Sequence, residues 1–390
     1  MFSIVVPLWN KRQWVAATLA SALAQTWRDF ELIIVDDGST DGSMEETERF
    51  DDPRIRRLRQ ANQGPGGARN AAIRAARHDW FAFLDADDIW LPDHLEELDR
   101  IRRRFPDAGL IGTTILRSDR HGRYCLPSSR EDRIERVDFF DCVAKDMWPA
   151  TTSSLAIPRH AWTAVGGFGD APFGQDIEYW TRIALDLPVA VSRRATAVYI
   201  LGTGGICDTV QSPSLAREAR HWGDIGPAMA VLRDRQGELR SPERARSIDL
   251  FIDRQFRSTT RLAAQFGNLR TLRALPRFYL RPPPPSDRLL LILAKAPAPV
   301  ARAGYAIGLK LKAVLRALRR ARSRGSGNVS AEPPHHVAQQ PSCQHGLNRP
   351  QQGGRARQGG EFVGGPPREI VKAADMATGD QIGLGERAPA

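Results

Sequence analysis

Apolar runs with the length of buried strands alternate with helix-like patterns along the first hundred residues. The apolar runs lie at Phe2–Val6, Phe30–Val35 and Trp80–Leu84, and a short, more polar strand is expected near Arg54–Leu58. A stretch with apolar positions at helical spacing follows each of them. Continuous apolar strands separated by helices are typical of a mostly parallel sheet that carries helices on both faces. The pattern therefore predicts an α/β fold for this part of the chain.

The pattern becomes more mixed after residue 105 and then changes character. Strands are expected at Gly109–Leu116 and Ala190–Ile200, and a helix at Gln175–Leu185. These elements complete a first domain over 1–212.

Three further regions follow, each with its own composition. Residues 213–280 are mostly helical in pattern and rich in Arg and Leu, so we expect a helical extension. Residues 281–325 combine a proline-rich linker with a basic amphipathic segment. In 326–390, Gly, Pro and Gln dominate and the hydrophobic residues follow neither a helical nor a strand period, which predicts a disordered tail.

The charge of the chain is concentrated in the basic segment. The whole sequence has a formal net charge of +11, and 301–325 holds eight basic residues and no acidic one. Apolar residues from Ile307 to Leu318 fall on one helical stripe, with the basic residues off it. Such a helix either lies on an anionic membrane surface or packs on its own protein with a solvated basic face. Because no aromatic residues are interleaved, we expect no nucleic-acid binding.

Other features favour a cytoplasmic protein, with peripheral contact at the inner face of the cell membrane. The four cysteines lie far apart and form no CxxC pair, which suits a reducing compartment. The first residues lack the pattern of a signal peptide, and no apolar run reaches the ~20 residues that a membrane-spanning helix needs.

Polar residues follow the ends of the first four predicted strands. Asn10 follows the first, Asp36 and Asp37 the second, Gly64–Gly67 the third and Asp85–Asp88 the fourth. In an open α/β sheet, ligands bind beyond the carboxyl ends of the strands. The sequence therefore predicts a ligand site along this edge.

The carboxylates at Asp85, Asp87 and Asp88 give this site its chemistry. Several acidic groups at one strand end repel one another unless water or a cation offsets the charge. Oxygen ligands of this kind suit Mg²⁺ or Mn²⁺, with phosphate oxygens and water completing the shell. Taken alone, the cluster could instead be a solvated loop that caps the helix after Pro92.

Two neighbouring motifs are individually less specific. The acidic turn Asp36–Ser39 could be only a turn, since such turns commonly follow strands. Gly64–Gly67 at a helix start could present backbone amides to a phosphate or serve only as a cap. It is not a Walker loop, because no Gly-Lys-Ser/Thr follows.

Together these motifs resemble those of the family 2 glycosyltransferases, which have the Rossmann-like GT-A fold. The sequence reads VVPLWN at 5–10, VDDGSTDGS at 35–43, GGARN at 66–70, FLDADD at 83–88 and VGGFGDAPFGQD at 165–176. The motifs stand in the order and spacing of that family. The resemblance covers roughly 1–205.

The resemblance implies a site for the nucleotide part of a nucleotide-diphospho-sugar donor. Pro7 and Asn10 would border the nucleotide pocket. Asp37, together with Asp36, would bind the base, commonly uracil. Arg69 would lie near the nucleotide portion of the donor.

The resemblance also implies the residues that act on the diphosphate and the acceptor. Asp85 and Asp87, with Asp88 beside them, would bind the ribose and the Mn²⁺ or Mg²⁺ ion that bridges the diphosphate. Asp176 would be the general base that deprotonates the acceptor hydroxyl, and Arg182 would shape the donor site from the same helix. Direct attack on the anomeric carbon would invert its configuration.

The chain departs from the family pattern in two places. Gln175 stands where the family usually has Glu before the catalytic Asp. The stretch Tyr199–Thr203 lacks the histidine often found near the end of the catalytic domain, so a third metal or phosphate contact stays unassigned.

We therefore expect an inverting, metal-dependent hexosyltransferase-type enzyme that uses a nucleotide sugar, with UDP-sugar as the first choice. Its acceptor would be a saccharide or a lipid-linked sugar in polysaccharide or cell-envelope glycoconjugate synthesis. One alternative is a nucleotidyltransferase, although Leu8-Trp9-Asn10 stands where that class has a glycine-rich loop. Another is a non-catalytic sugar-nucleotide or membrane-binding protein.

Overall fold

The computed structural model describes the α/β region almost completely and the rest of the chain in segments. The described residues are 1–118, 124–125, 131–145, 147–148, 150–171, 174–204, 227–235, 241–265, 269–274, 283, 285–297, 299–301, 304 and 362–363.

The four predicted strands of the first hundred residues form one parallel block. They are β1 (Phe2–Leu8), β2 (Phe30–Asp36), β3 (Ile55–Arg59) and β4 (Trp80–Phe83), in the spatial order β4-β1-β2-β3. Side chains alternate across this block, so the same strand feeds two cores. In β1, Val5 packs into one core, and Ile4 and Val6 pack into the other. Burial on both faces explains the unbroken apolar runs.

Helices between the strands supply the two covering layers. They are α1 (Val15–Leu23), α2 (Ser43–Glu48), α3 (Gly64–Ala75) and α4 (His94–Arg104). Helix α3 contributes Ala68, Ala72 and Ile73 to the core that contains Val5. Helices α1 and α4 cover the opposite face. The predicted α/β architecture with helices on both sides is confirmed.

The second half of the sheet is mixed in direction. Its elements are β5 (Ile89–Trp90), β6 (Leu110–Ser118), β7 (Tyr124–Cys125), β8 (Ile134–Val137), β9 (Leu155–Pro158) and β10 (Val189–Ile200). Strand β9 lies antiparallel between β4 and β6, whereas β10 runs parallel to β6 and antiparallel to β5 and β8. Strands β6 and β10 were expected from the sequence. The short β5 places the loop after β4 directly beside β10.

Helices α5 (Phe139–Ala144), α6 (Arg159–Val165) and α7 (Gln175–Asp186) complete this region. Beyond it lie α8 (Pro227–Asp234), α9 (Pro242–Gln265), α10 (Leu269–Ala274) and α11 (Pro285–Leu293).

The helical extension packs directly on the sheet domain. Phe251 of α9 contacts the rings of Phe139 and Phe140 in α5, with ring centroids 6.2 and 5.4 Å apart. Arg235, just after α8, pairs with Asp186 at the end of α7 through two 2.7 Å hydrogen bonds. The extension therefore continues one of the two cores.

Several sequence predictions fall wholly or mainly on residues that are not described. The basic amphipathic stripe of Ile307–Leu318 lies outside the described residues, as does most of the predicted disordered tail. Phe362 and Val363 are described as β11, antiparallel to β7. The segment predicted as linker and basic region, 281–325, contains α11. Within the described part of the chain, no helix is both long and apolar enough to cross a bilayer.

Candidate functional site

The loops after β1 and β2 are tied together at the predicted edge of the sheet. Asn10 has a φ of 51°, in the left-handed region that Asn tolerates better than most residues. Its backbone N–H donates to the Ser39 hydroxyl at 3.0 Å, and its side-chain oxygen accepts from the Thr40 N–H at 2.9 Å. Pro7, the second-last residue of β1, pairs with Val35 of β2. These contacts fix the expected floor of the nucleotide pocket.

The two aspartates after β2 are both buried and differently held. The Asp36 carboxylate accepts a hydrogen bond from the Ser39 N–H at 3.0 Å. The Asp37 carboxylate accepts from Gln60 Nε2 at 2.7 Å and from the Gln63 N–H at 2.9 Å. Because Gln63 immediately precedes α3, Asp37 fixes the start of that helix to the end of β2.

Arg69 lies inside the site and keeps part of its hydrogen-bonding capacity unused. Its residue is 4% exposed, and its Nη2 donates to Asp85 Oδ1 at 2.5 Å. Its guanidinium also lies over the Phe168 ring, 5.5 Å from the centroid. Among the described residues, neither Nε nor Nη1 has a hydrogen-bond partner. A buried cation with two unsatisfied donors is suited to an anionic or hydroxyl-bearing ligand.

Asp85 and Asp87 each face a cation. Asp85 is bound by Arg69, and Asp87 Oδ2 lies 2.6 Å from Lys11 Nζ. The hydroxyl of Thr203, beyond the end of β10, donates to the same Asp87 oxygen at 2.6 Å.

Asp88 points away from these cations, into the protein. It is 1% exposed, and its carboxylate accepts hydrogen bonds from the Ser153 hydroxyl and from the Ile200 N–H. Burial, and then the neighbouring charges of Asp87 and Asp85, raise the pKa of Asp88 well above its ordinary value. Asp88 thus joins the acidic loop to β10 and to the turn before β9.

The three acidic side chains expected to hold a metal ion do not form one ligand cluster. No group of three or more His, Cys, Asp or Glu side chains placed to hold a metal ion occurs in the described part of the chain. Asp88 is committed to Ser153 and Ile200, which leaves Asp85 and Asp87 at the surface of the site. One or two carboxylates together with substrate phosphates are a usual ligand set for Mg²⁺, so this pair fits a metal that binds with the donor.

Helix α3 links the donor side to the predicted catalytic residue. Gly66 approaches the loop before α7 so closely that a Cβ there would lie 2.6 Å from the Gly169 carbonyl oxygen and 3.4 Å from Cγ of Gln175. Asn70 exchanges two hydrogen bonds with the backbone of Phe168, at 2.9 and 2.8 Å. Gln175 is therefore packed against the glycine motif.

Asp176 follows in the first turn of α7, where its carboxylate is half-buried. Its Oδ1 accepts from the Ile177 N–H at 2.8 Å. Asp176 therefore lies one residue beyond Gln175, the residue that packs against the glycine motif.

Arg182 is engaged in supporting the loop before α7. Its guanidinium donates to the carbonyl oxygens of Val165 and Gly167 and pairs with Glu178. These contacts fit the expected shaping role and account for its donors without a ligand.

Three residues of the site were not singled out for these roles by the sequence. Lys11 follows the Asn10 motif, and its adjacency to Asn10 was the only available signal. Ser153 lies in the polar stretch 151–154, which belongs to none of the family motifs. Thr203 lies in the segment that lacks the expected histidine. All three become recognisable only when β10 and the turn before β9 lie beside the acidic loop.

Comparison with known proteins identifies the family that the motifs resemble. The sequence profile described as Glycosyl transferase family 2 matches residues 3–154, which include β1 to β4, Arg69, the acidic loop and Ser153. Residues 3–154 of this chain therefore match glycosyl transferase family 2, in line with the resemblance of the motifs. The glycosyltransferase resembles curated relatives over part of its length only.

Two of these relatives have informative names. It is 38% identical over 97 residues to the UDP-Glc:α-D-GlcNAc-diphosphoundecaprenol β-1,3-glucosyltransferase WfgD of Escherichia coli, a match covering 25% of this chain and 38% of the relative. It is 41% identical over 114 residues to the succinoglycan biosynthesis protein ExoO of Rhizobium meliloti, covering 29% and 31%. The matches thus span about one third of each relative's length.

Solved structures support the GT-A fold of the glycosyltransferase. Staphylococcus aureus TarS 1–349 superposes with a TM-score of 0.54 at 16% identity, over 79% of this chain and 91% of TarS 1–349. The same TarS fragment in complex with UDP-GlcNAc gives 0.53 at 18% identity. At such low identity the likeness concerns the fold alone.

Proposed function

We propose that this glycosyltransferase transfers a sugar, with inversion, from a UDP-sugar to a hydroxyl group of a saccharide or lipid-linked acceptor. The observation that carries the proposal is the Arg69–Asp85 pair, whose buried guanidinium retains two donors without a partner among the described residues. Asp37 holds Gln63, the residue before α3, and Arg69 of α3 pairs with Asp85, an arrangement that suits a ligand with an aromatic base at one end and a diphosphate at the other. The name of the relative WfgD, which specifies UDP-Glc, supports the choice of nucleotide.

In this proposal the donor lies along the edge formed by β1, β2 and β4. Asp37 and Asp36 receive the base, with Pro7 and Asn10 below it. Asp37 is preset for this role because Gln60 and Gln63 hold its carboxylate.

The diphosphate lies near Asp85 and Asp87, within reach of Arg69 and Lys11. Asp85 and Asp87 would hold a Mn²⁺ or Mg²⁺ ion, which when bound acts as a Lewis acid that stabilises the charge of the leaving diphosphate. The two cationic side chains keep the carboxylates in place before the donor arrives, which reduces the cost of ordering the site.

Asp176 is assigned the proton transfer from the acceptor hydroxyl. A carboxylate at the start of a helix is favourably placed electrostatically, and the Ile177 N–H holds one of its oxygens. Gln175 fills the place of the usual Glu beside it as a neutral, buried group. The resulting base acts as the hydroxyl attacks the anomeric carbon, on the side opposite the diphosphate.

Turnover measurements on a substituted enzyme test the proposed role of Asp176 as the general base. We expect Asp176→Asn to reduce donor turnover by about 10²-fold or more, while UDP-sugar still stabilises the protein against heating. Asp170→Asn is the matched control, because Asp170 is an exposed carboxylate in the loop before α7. Unchanged turnover in Asp176→Asn would exclude Asp176 as the base. Donor binding without turnover in the parent protein would favour a non-catalytic binder.

Donor and metal are tested together by thermal shift with UDP-, GDP- and dTDP-sugars, each with and without Mn²⁺. We expect UDP-sugars to stabilise the protein most, with a larger shift when Mn²⁺ is present. Equal shifts with and without Mn²⁺ would overturn the metal assignment. Inversion is read from the anomeric configuration of the product by NMR.

The acceptor and the cellular site are proposed from the named relatives. The WfgD name specifies a diphosphoundecaprenol-linked sugar, and the ExoO name specifies polysaccharide biosynthesis. We therefore place the reaction at the inner face of the cell membrane, with 301–325 as a region of peripheral contact. Transfer assays with a lipid-linked sugar and with a free oligosaccharide, run in parallel, would show which acceptor class the enzyme uses.

A further inference from the structure

Helix α11 carries apolar residues on two sides, and only one side packs on the protein. The helix contains the five consecutive aliphatic residues Leu289–Leu293. Leu291 is 6% exposed, and Ala294, just after the helix, is fully buried with it in the core that contains Phe251. Leu289 and Ile292 are 58% and 62% exposed. Because residues three apart lie on the same face of a helix, Leu289 and Ile292 form one exposed apolar stripe.

The helix is held firmly in this orientation. Arg273 of α10 donates to the carbonyl oxygens of Ala294 and Ala296, which caps the end of α11. Arg288 Nε donates to the Pro283 carbonyl oxygen at 2.6 Å, at the beginning of the helix. The exposure of Leu289 and Ile292 therefore belongs to a helix whose C-terminal end is tied to α10.

Positive charges lie at both ends of the apolar stripe along the helix. Arg288 lies one turn before Ile292, and Lys295 lies one turn after it, and both are exposed. Val300, farther along, is a third exposed aliphatic residue at 57%. The sequence that continues from here, 301–325, holds eight basic residues and no acidic one.

We infer that the exposed face of α11, defined by Arg288, Leu289, Ile292 and Lys295, docks on an anionic lipid bilayer. Aliphatic side chains between cationic ones match the boundary between acyl chains and negatively charged headgroups. A second copy of the chain fits this face less well, because a two-fold contact would bring like charges together. Stable interfaces between copies also bury about 1,600 Å², far more than these few side chains supply.

The inference does not depend on the donor or on the reaction proposed above. The helical extension shares a core with the sheet domain. Docking through α11 would therefore hold the active site in a fixed orientation relative to the membrane.

Vesicle flotation with the full chain tests the inference, with phosphatidylcholine vesicles that contain or lack about 30% phosphatidylglycerol. We expect binding only with phosphatidylglycerol, and at least an about tenfold lower partition coefficient for the Leu289→Ser/Ile292→Ser double variant. Arg288→Gln/Lys295→Gln should lower binding and weaken its salt dependence. Met147→Ser is the matched control, because Met147 is an exposed apolar residue elsewhere, at 44%.

Three results would overturn the inference. They are no binding of the parent chain to anionic vesicles, equal binding of the Leu289→Ser/Ile292→Ser variant and the parent, and a dimer in ultracentrifugation that this variant dissociates. The thermal shift with UDP-sugar is measured on every variant. An unchanged shift shows that the site is intact, so a failure of membrane docking is distinguishable from a failure of the proposed function.

Discussion

The ammonium group of Lys11 lies 2.6 Å from the Asp87 carboxylate and joins the loop after β1 to the acidic loop after β4. Lys11 Nζ also donates to the carbonyl oxygen of Thr203 at 3.3 Å. One cation therefore connects three segments that are distant in sequence. Both side chains of the pair are less than one fifth exposed, so the pair is only partly screened by solvent.

The pair predicts competition between Lys11 and a divalent cation for Asp87. Lys11→Met keeps the length of the side chain and removes its charge. We expect donor-free Lys11→Met to bind Mn²⁺ about tenfold more tightly by calorimetry, since a like charge beside the ligand is lost. Arg12→Met is the control, because the neighbouring Arg12 side chain is 61% exposed and contacts Glu46 instead. Equal Mn²⁺ affinities of parent and Lys11→Met would refute the competition.

Ser153 positions the acidic loop from behind. Its hydroxyl donates to the Asp88 carboxylate and accepts from the Asp85 N–H at 3.1 Å. Ser153→Ala leaves a buried carboxylate short of a donor, which costs about 1–3 kcal/mol of folding free energy, and it loosens Asp85. We therefore expect weaker UDP-sugar binding as well as a lower melting temperature.

Ser154→Ala separates these two effects. Among the residues that the structure describes, the Ser154 hydroxyl bonds to the backbone of Thr151, within the 151–154 turn. This variant should lose stability while keeping its affinity for UDP-sugar in calorimetry. If both variants lost affinity equally, Ser153 would have no special role in placing the loop.

The contact between Gly66 and Gly169 predicts a steric variant. In Gly66→Ala the new Cβ would stand 2.6 Å from a backbone oxygen, so α3 or the loop before α7 must shift. We expect turnover to fall at least about tenfold, because a displacement near 1 Å at reacting groups is costly. In Gly169→Ala the nearest atom would be Glu178 Oε2 at 3.7 Å, so activity should be retained. Turnover assays on the two variants decide whether the close approach matters.

His94 predicts how stability depends on pH. Its ring is fully buried, stacks on Trp90 at 4.3 Å and lies 2.7 Å from the Thr196 hydroxyl. Burial lowers the pKa of His94 from 6.5 to about 3. Between pH 6.5 and about 3, the His94 side chain is therefore protonated in the unfolded chain and neutral in the folded chain. This contribution to stability is complete above pH 6.5 and is lost as the pH falls from 6.5 towards 3.

Denaturant titrations at several pH values measure this effect. Between pH 6 and 4 the free energy of unfolding should fall by up to about 1.4 kcal/mol per pH unit from this group. His94→Phe keeps the stacking on Trp90 and should remove that component of the slope. His160→Gln, at an exposed histidine, should leave the slope unchanged. A slope in His94→Phe equal to that of the parent would show that other groups set the pH dependence.

Several residues of the candidate site could be predicted from the sequence, because they follow strands that a local apolar pattern specifies. Apolar runs such as Phe30–Asp36 specify buried strands, and parallel strands bring their carboxyl ends to one edge. That rule alone places Asn10, Asp37 and Asp85 on the same side of the sheet. The family motifs point to Arg69, which pairs with Asp85, and to Asp176, whose role stays a prediction.

Tertiary structure decided which partner each side chain takes. Asp85, Asp87 and Asp88 are nearly consecutive, yet they bind Arg69, Lys11 and Ser153, which come from three different segments. The exposure of Leu289 beside the buried Leu291 is likewise a property of the packed helix. Sequence spacing fixes which face of an element a residue lies on. The neighbour that contacts this face depends on how β9 and β10 pair with the rest of the sheet. That pairing is a long-range arrangement, and no local sequence pattern specifies it.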